Sequence, residues 1–348
     1  MSLQIIDPTT YPGWDDLLLS TPGSSFFHTS AWAQVLSESY GYTPLYFTII
    51  ENGKLRALVP LMEVNSILTG KRGVSLPFTD FCEPILDEDI SFPNLFNEIT
   101  EFGKSRGWKH VELRGGLSLL PESESKPFKS YLGHTLDLSG GQEKIFKNFR
   151  KGTKSAVKQA QKEDLEIKIG VLDKFVEEFY HLNCMTRKLH KLPPQPFIFF
   201  GGVQKNILEK GLGVIILILY KGMSIAGAVF FHFGNKAFYK YGASMREYQD
   251  LRANNLIIWN AIQYFSNKGC KSLCFGRTDL ENEGLRIFKN GWGAEEREIK
   301  YLRYDLSRSI FVKENKHKKI SYVQDLVFGN MPIPLLKMIG SLAYKHMG

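Results

Sequence analysis

Cysteine is scarce in this chain of 348 residues, which has only Cys82, Cys184, Cys270 and Cys274. Four scattered thiols cannot build a disulfide scaffold or a zinc cluster with paired ligands, so they are expected to be reduced and buried. Cys270 and Cys274 are placed on one face of a strand, next to Leu273 and Phe275. No apolar run approaches the roughly 20 residues that a membrane-crossing helix needs. Residues 1–16 carry acids and prolines where a secretory signal would have a basic start and an apolar centre, so none is read there. His28, His181, His190 and His232 lack the spacing of metal ligands. No metal site is expected, and no histidine is assigned catalysis.

Acid is missing locally as well. Between Lys144 and Lys162 there are seven basic residues and no carboxylate. Lys144, Lys147, Lys151, Lys154, Lys158 and Lys162 recur every three or four positions, with Phe146, Phe149, Ala156, Val157 and Ala160 opposite. This predicts one amphipathic helix with a lysine face. That face is open to two readings, a solvated surface or a contact with a polyanion. From 308 to 348, seven basic residues face two acids. Within that tail 313–319 reads as a linker, and 332–348 mixes prolines, leucines and lysines. The latter segment would either lie at a bilayer surface or pack back on the first domain.

What is present is the composition of a folded protein, 43% hydrophobic and 23% charged, in a chain long enough for two cores. One order of elements occurs twice. Residues 46–50 and 57–62 flank a turn at Asn52-Gly53, and 214–220 and 225–233 flank Lys221-Gly222, which predicts two β-hairpins. An amphipathic segment follows each, 95–106 closed by Gly107 and 256–268 closed by Gly269. Strands at 109–113 and 271–275 come next. Each glycine stands where a helix end needs a left-handed residue.

The stretch 240–304 is the most informative. It reads Lys240, Tyr241, Gly242, Ala243, Ser244, then Leu251, Arg252, Ala253, Asn254 and Asn255 opening a helix with Trp259. Phe275, Gly276 and Arg277 follow, then Gly284, Leu285, Phe288, Lys289, Trp292 and Gly293. This order resembles the C-terminal domain of the Fem-type and related GNAT acyltransferases, with their Leu-Arg-x-Asn helix start and their Phe-Lys before Trp-Gly. Thr186, Arg187 and Lys188 with Pro193, Pro194, Pro196 and Phe199 extend the resemblance. So do Phe26, Phe27, His28 and Trp32, with Leu76, Pro77 and Phe78, and it covers most of 24–306. It implies mixed α/β sheets in two tandem GNAT-like domains, 1–138 and 139–306, followed by the basic tail 307–348.

The resemblance implies acyl or aminoacyl transfer to an amine on a cell-envelope, peptidoglycan-type or polysaccharide precursor. A lysine at the Phe-Lys position suits a developing oxyanion, so Lys289 is the first catalytic candidate and Tyr241 the second. Phe288, Asn254, Asn255 and Arg277 are the expected donor contacts. Arg187, Arg150, Lys151, Lys154 and Lys158 are expected to meet substrate or a polyanion. Arg187 and Arg277 could equally close internal salt bridges, and Tyr241 could simply pack.

No permanent cofactor is expected. The donor is either aminoacyl-tRNA or acyl-CoA, and two departures bear on that choice. No lysine follows Trp32 in Ala33-Gln34-Val35-Leu36, where bridge-forming relatives have one for the nucleotide-linked precursor. Asp250–Asn255 replaces the glycine-rich loop that cradles the CoA pyrophosphate in ordinary GNAT enzymes. The expected partners are a small or lipid-linked amine, tRNA, and a membrane surface touched through 332–348. The expected location is the cytoplasm, at the periphery of the inner membrane. The alternative is a non-catalytic module of the same fold that binds RNA or a membrane surface.

Overall fold

A computed structural model describes residues 2–120, 127–313 and 328–348. The chain divides into two packed units. Met1–Tyr131, Glu298–Lys316 and Ala343–Gly348 make up one, and Leu132–Arg297 with His317–Leu342 the other. The units are thus interleaved along the sequence, whereas the reading above was a contiguous 1–138, 139–306 and 307–348. The expected linker 313–319 lies, from 314 on, outside the described residues.

In the first unit the strands Gln4–Ile6, Thr43–Glu51, Lys54–Ser66 and Gly70–Val74 pair antiparallel in succession. The helix Phe92–Ser105 then crosses to the strand His110–Arg114, which lies parallel to Gly70–Val74. The second unit repeats this grammar. Leu165–Gly170, Gly213–Tyr220, Met223–Phe233 and Lys236–Ser244 are antiparallel in turn, and the helix Ala253–Asn267 crosses to the parallel strand Ser272–Asp279.

Local chemistry accounts for the repeat. Both hairpin turns hold left-handed pairs, Asn52 and Gly53 at φ 50° and 72°, Lys221 and Gly222 at 50° and 79°. Paired left-handed residues match the right-handed twist of the flanking strands. Gly107 and Gly269, at φ 73° and 84°, close the two crossover helices. In each the next amide reaches back into the last turn, Trp108 N–H to Gly103 O and Cys270 N–H to Phe265 O, both at 2.9 Å. Cys270 is therefore part of this helix-ending turn and does not share the strand with Cys274. All four cysteines are buried, as the sequence reading expected.

The crossover helix of the second unit buries Leu256, Ile257, Ile258, Trp259, Ala261, Ile262 and Phe265. A helix apolar on nearly every side must be covered on nearly every side. The sheet covers one side, and two short helices, Gln142–Asn148 and Lys151–Ala160, help cover the other. Phe146 and Phe149 meet the Trp259 ring at 5.1 and 5.8 Å. The single lysine-faced helix expected over 144–162 is thus broken in two. Phe149 and Arg150 are extended, at ψ 147° and 146°, because burying Phe149 against Trp259 and Trp292 takes precedence over helical continuity.

A β-bulge positions the site. Val229 pairs with Tyr241 and Phe230 with Tyr239, so Lys240 is an extra residue in its strand. Bulges bend and over-twist the strand that carries them. The parallel pairing with Ser272–Asp279 accordingly stops at Phe238 and Cys274, although both strands continue. Gly242 faces the Tyr239 hydroxyl so closely that an added Cβ would lie 1.7 Å from it. We therefore expect Gly242→Ala to destabilise the fold by about 1–3 kcal/mol through overpacking. Adding Tyr239→Phe should return part of that loss, as read by urea denaturation of the single and double variants.

Candidate functional site

Beyond Phe238 and Cys274 the two parallel strands part, and the residues around the opening belong to the second unit. On one side Gly276, at φ 69°, turns the strand backbone. The helix Glu283–Asn290 lies beside it, and the residue it buries is Lys289, only 4% exposed. Its ammonium donates to the Gly276 carbonyl at 3.2 Å and the Arg277 carbonyl at 2.9 Å. A surface lysine would not take this position, because burying an ammonium is costly unless hydrogen bonds compensate.

On the other side a cavity of roughly 190 Å³ is walled by Ser244, Met245, Arg252, Asn254, Asn255 and Phe288, among others. Arg252, left-handed at φ 55°, turns the chain into the helix Ala253–Asn267, and its carbonyl accepts from the Asn255 amide at 2.9 Å and the Leu256 amide at 3.2 Å, with no side chain capping the helix start. Asn254 donates to the Ser244 hydroxyl at 3.1 Å, and the Ser244 amide donates to the Thr186 hydroxyl at 3.2 Å. Three of the four expected donor contacts, Phe288, Asn254 and Asn255, thus share one cavity. Arg277 stands outside its wall, half-buried on the strand, and its backbone carbonyl accepts from Lys289.

Tyr241 packs edge-on against Phe199 and Phe200 at 6.0 and 5.8 Å. Arg187 donates to the Pro193 carbonyl at 3.3 Å and is half-buried, next to the Thr186 that holds Ser244. The basic helix borders the opening at both of its ends. The Arg150 amide donates to the Gly291 carbonyl at 2.9 Å, just past the Lys289 helix, and Gln159 donates to the Asp250 carbonyl at 3.0 Å, beside the cavity. Arg150, Lys151 and Lys158 are exposed, and Lys154 donates to the Lys147 carbonyl at 2.6 Å.

Several residues near Lys289 have no marker in the sequence. His134, fully buried, meets Glu296 through Nε2 at 3.2 Å, and among the described residues its Nδ1 has no hydrogen-bond partner. The Thr278 hydroxyl and the Trp292 indole N–H are likewise buried and unpartnered among them. Hydrogen bonds from Arg286 and, more weakly, Asn290 hold the Glu296 carboxyl down to about 2. Burial, reinforced by the charge of Lys289, holds His134 below the ordinary histidine value. Among the described residues no cluster of His, Cys, Asp and Glu is placed to hold a metal, and no helix is long and apolar enough to cross a membrane.

Comparison with known proteins supplies the context of this geometry. Residues 147–290 match the acetyltransferase (GNAT) domain family. Over 98 residues the chain is 32% identical to a lipid II:glycine glycyltransferase of Staphylococcus haemolyticus (strain JCSC1435), covering 26% of this chain and 23% of that protein. A lipid II:glycine glycyltransferase of Staphylococcus epidermidis (strain ATCC 12228 / FDA PCI 1200) is 34% identical over 79 residues, 21% of this chain and 19% of the relative. The match thus spans less than a quarter of either relative's length.

Similarity of fold extends much further. FemX superposes with TM-score 0.69 at 13% identity, over 88% of this chain and 98% of that structure. L-PGS from Bacillus licheniformis gives 0.54 at 15%, over 93% and 98%. A tandem GNAT protein from the clavulanic acid biosynthesis pathway gives 0.52 at 9%, over 88% and 99%. These likenesses agree with the expected tandem GNAT-like fold.

The buried histidine makes stability depend on pH. The unfolded chain protonates His134 near the ordinary value of about 6.5, whereas the folded chain does so only at lower pH. Its contribution is therefore complete above that value and is lost as the pH falls. We expect the thermal midpoint to drop between pH 7.5 and pH 5, and to drop less in His134→Gln. His110 and His232, also depressed by burial, keep the variant's slope from vanishing.

Proposed function

We propose that the chain is a Fem-type, GNAT-like transferase that moves an aminoacyl group to an amine on a lipid-linked cell-envelope precursor. The observation that carries this reading is the parted strand pair, with the Lys289 ammonium buried on one side and a helix N-terminus opening the cavity on the other. An ester carbonyl seated in the opening would develop negative charge as the amine attacks. Fixed donors in a site poor in water stabilise such charge most effectively, because they need no reorganisation. Lys289 is the residue proposed to supply that donor. The Gly276 and Arg277 carbonyls keep its ammonium in place, and Phe288 gives the cavity an apolar wall.

Two observations favour aminoacyl-tRNA over acyl-CoA as donor. The turn into the helix Ala253–Asn267 is made by Arg252 after Gln249 and Asp250, with no glycine to let a pyrophosphate approach the backbone. The basic helix Lys151–Ala160, with no carboxylate in it, runs from the end of the Lys289 helix to the Asp250 rim, a path suited to a polyphosphate strand. The relatives named as lipid II:glycine glycyltransferases support a lipid-linked amine as acceptor. That assignment also places the reaction at a membrane surface.

The test is single-turnover transfer from aminoacyl-tRNA to a lipid II-type amine, followed by mass spectrometry. Lys289→Met should slow the chemical step by roughly 10²–10³ while leaving donor affinity nearly unchanged. An unchanged rate would refute the role of Lys289, and turnover with acetyl-CoA but not with charged tRNA would replace the donor. Neutralising Lys151, Lys154 and Lys158 together should weaken tRNA binding and flatten its dependence on salt, with a log–log slope smaller by about two to three.

A further inference from the structure

We infer that the first unit docks on an anionic membrane surface through the turn at 67–69, which joins the strands Lys54–Ser66 and Gly70–Val74. Hairpin turns are ordinarily polar, and those at Asn52-Gly53, Lys221-Gly222 and Gly234-Asn235 follow that rule. This one instead carries Ile67 and Leu68 side by side at its tip, 92% and 73% exposed. The turn is held in one shape. The Ser66 hydroxyl accepts from the Leu68 amide at 3.2 Å and the Thr69 amide at 3.0 Å, so the backbone is satisfied while both aliphatic side chains stay in water. Residues 346–348 brace it from the side. His346 meets the Ser66 hydroxyl through Nδ1 at 2.9 Å, and its carbonyl accepts from the Thr69 hydroxyl at 3.3 Å and from Arg72 Nη2 at 2.9 Å. The Gly348 oxygen accepts from Arg72 Nε at 2.8 Å. Met347, between these two anchors, adds a third apolar side chain, 55% exposed.

The charge and the size of this tip select its occupant. Lys71 follows the turn, Lys345 precedes His346, and a Cβ added at Gly70 would lie 2.6 Å from the Lys109 ammonium, which puts that charge at the base of the turn. Among the described residues none of these three lysines is in an ion pair. The sequence holds no acid between Glu63 and Asp80. Glu63 itself is taken up by Arg106 at 2.8 and 3.0 Å and by the Trp108 indole at 2.6 Å. Two or three side chains on a turn cannot bury the roughly 800 Å² per partner that a stable protein interface needs. They suffice for reversible seating in the headgroup region of a bilayer, where aliphatic groups insert and lysines are drawn to anionic lipid.

Docking of this kind needs no transfer chemistry, and its test contains none. The full chain is sedimented with vesicles of phosphatidylcholine alone and of phosphatidylcholine mixed with phosphatidylglycerol. We expect binding to the mixed vesicles, weakened by salt, and little binding to the neutral ones. Ile67→Ser with Leu68→Ser should lower partitioning about tenfold or more, since it withdraws two apolar side chains from the lipid. Both are exposed, so this variant keeps its fold. Lys71→Gln with Lys345→Gln should lower partitioning by about tenfold as well, through lost attraction to the anionic surface. In Leu68→Trp the added indole should be quenched by brominated lipid. Wild-type binding by the Ile67/Leu68 variant, or an indole that brominated lipid leaves unquenched, would overturn the proposal. Equal binding to neutral and mixed vesicles would refute the selection by charge. Self-association that the Ile67/Leu68 substitutions abolish, without any lipid binding, would reassign the tip to a second copy of the chain.

Discussion

Two parallel strands that begin hydrogen-bonded at Lys236 and Ser272 and part after Phe238 and Cys274 create a strip of backbone whose polar groups have lost their ladder partners. Buried peptide groups must be satisfied, so such a strip either takes in another segment or receives a ligand. The two copies of the fold resolve this differently. In the first unit the chain itself returns, with Ser75 N–H donating to Glu112 O and Cys82 N–H to Arg114 O, both at 2.8 Å. In the second unit the bulge at Lys240 bends the strand away, and a cavity with a helix N-terminus remains.

The other features of the second unit follow from keeping that opening in one shape. Gly242 lets the Tyr239 ring fold back along its own strand. Lys289 ties its helix to the opposite strand through two carbonyls, so the group proposed for the chemistry also helps fix the geometry. The basic helix is anchored at Gly291 and Asp250, the two points where the chain leaves and enters the site. Gly291 has no room for a side chain there, since an added Cβ would lie 2.4 Å from the Thr153 hydroxyl.

Much of the scaffold is legible in the sequence because short-range chemistry determines it. Asn52-Gly53 and Lys221-Gly222 fold as hairpin turns, and Gly107 and Gly269 close helices, because each requirement concerns one or two residues. The repeat could be read for the same reason. Tertiary contacts decide what local pattern cannot. Nothing in the periodicity of 144–162 reveals that Phe149 is drawn under Trp259 and Trp292 and breaks the helix. Cys270 looks like a strand residue until the Gly269 turn draws its amide back to Phe265. His134 and Glu296 are 162 residues apart and carry no motif. Lys289 stood out only through the resemblance of Phe-Lys before Trp-Gly, since alone it reads as an exposed helical lysine. The tail divides its allegiance, with Ile333–Ala343 against Pro194 and the last residues in the first unit, where the Tyr42 hydroxyl donates to the Tyr344 carbonyl at 3.1 Å.

Hydrogen–deuterium exchange with and without a non-hydrolysable aminoacyl-tRNA analogue tests most directly whether the parted strands are the donor site. The account predicts new protection in 239–244, in the first turn of the helix Ala253–Asn267 and around Gly276, with basic-helix amides following at higher occupancy. Saturable binding that leaves those amides unprotected, or protects the first unit instead, would contradict it.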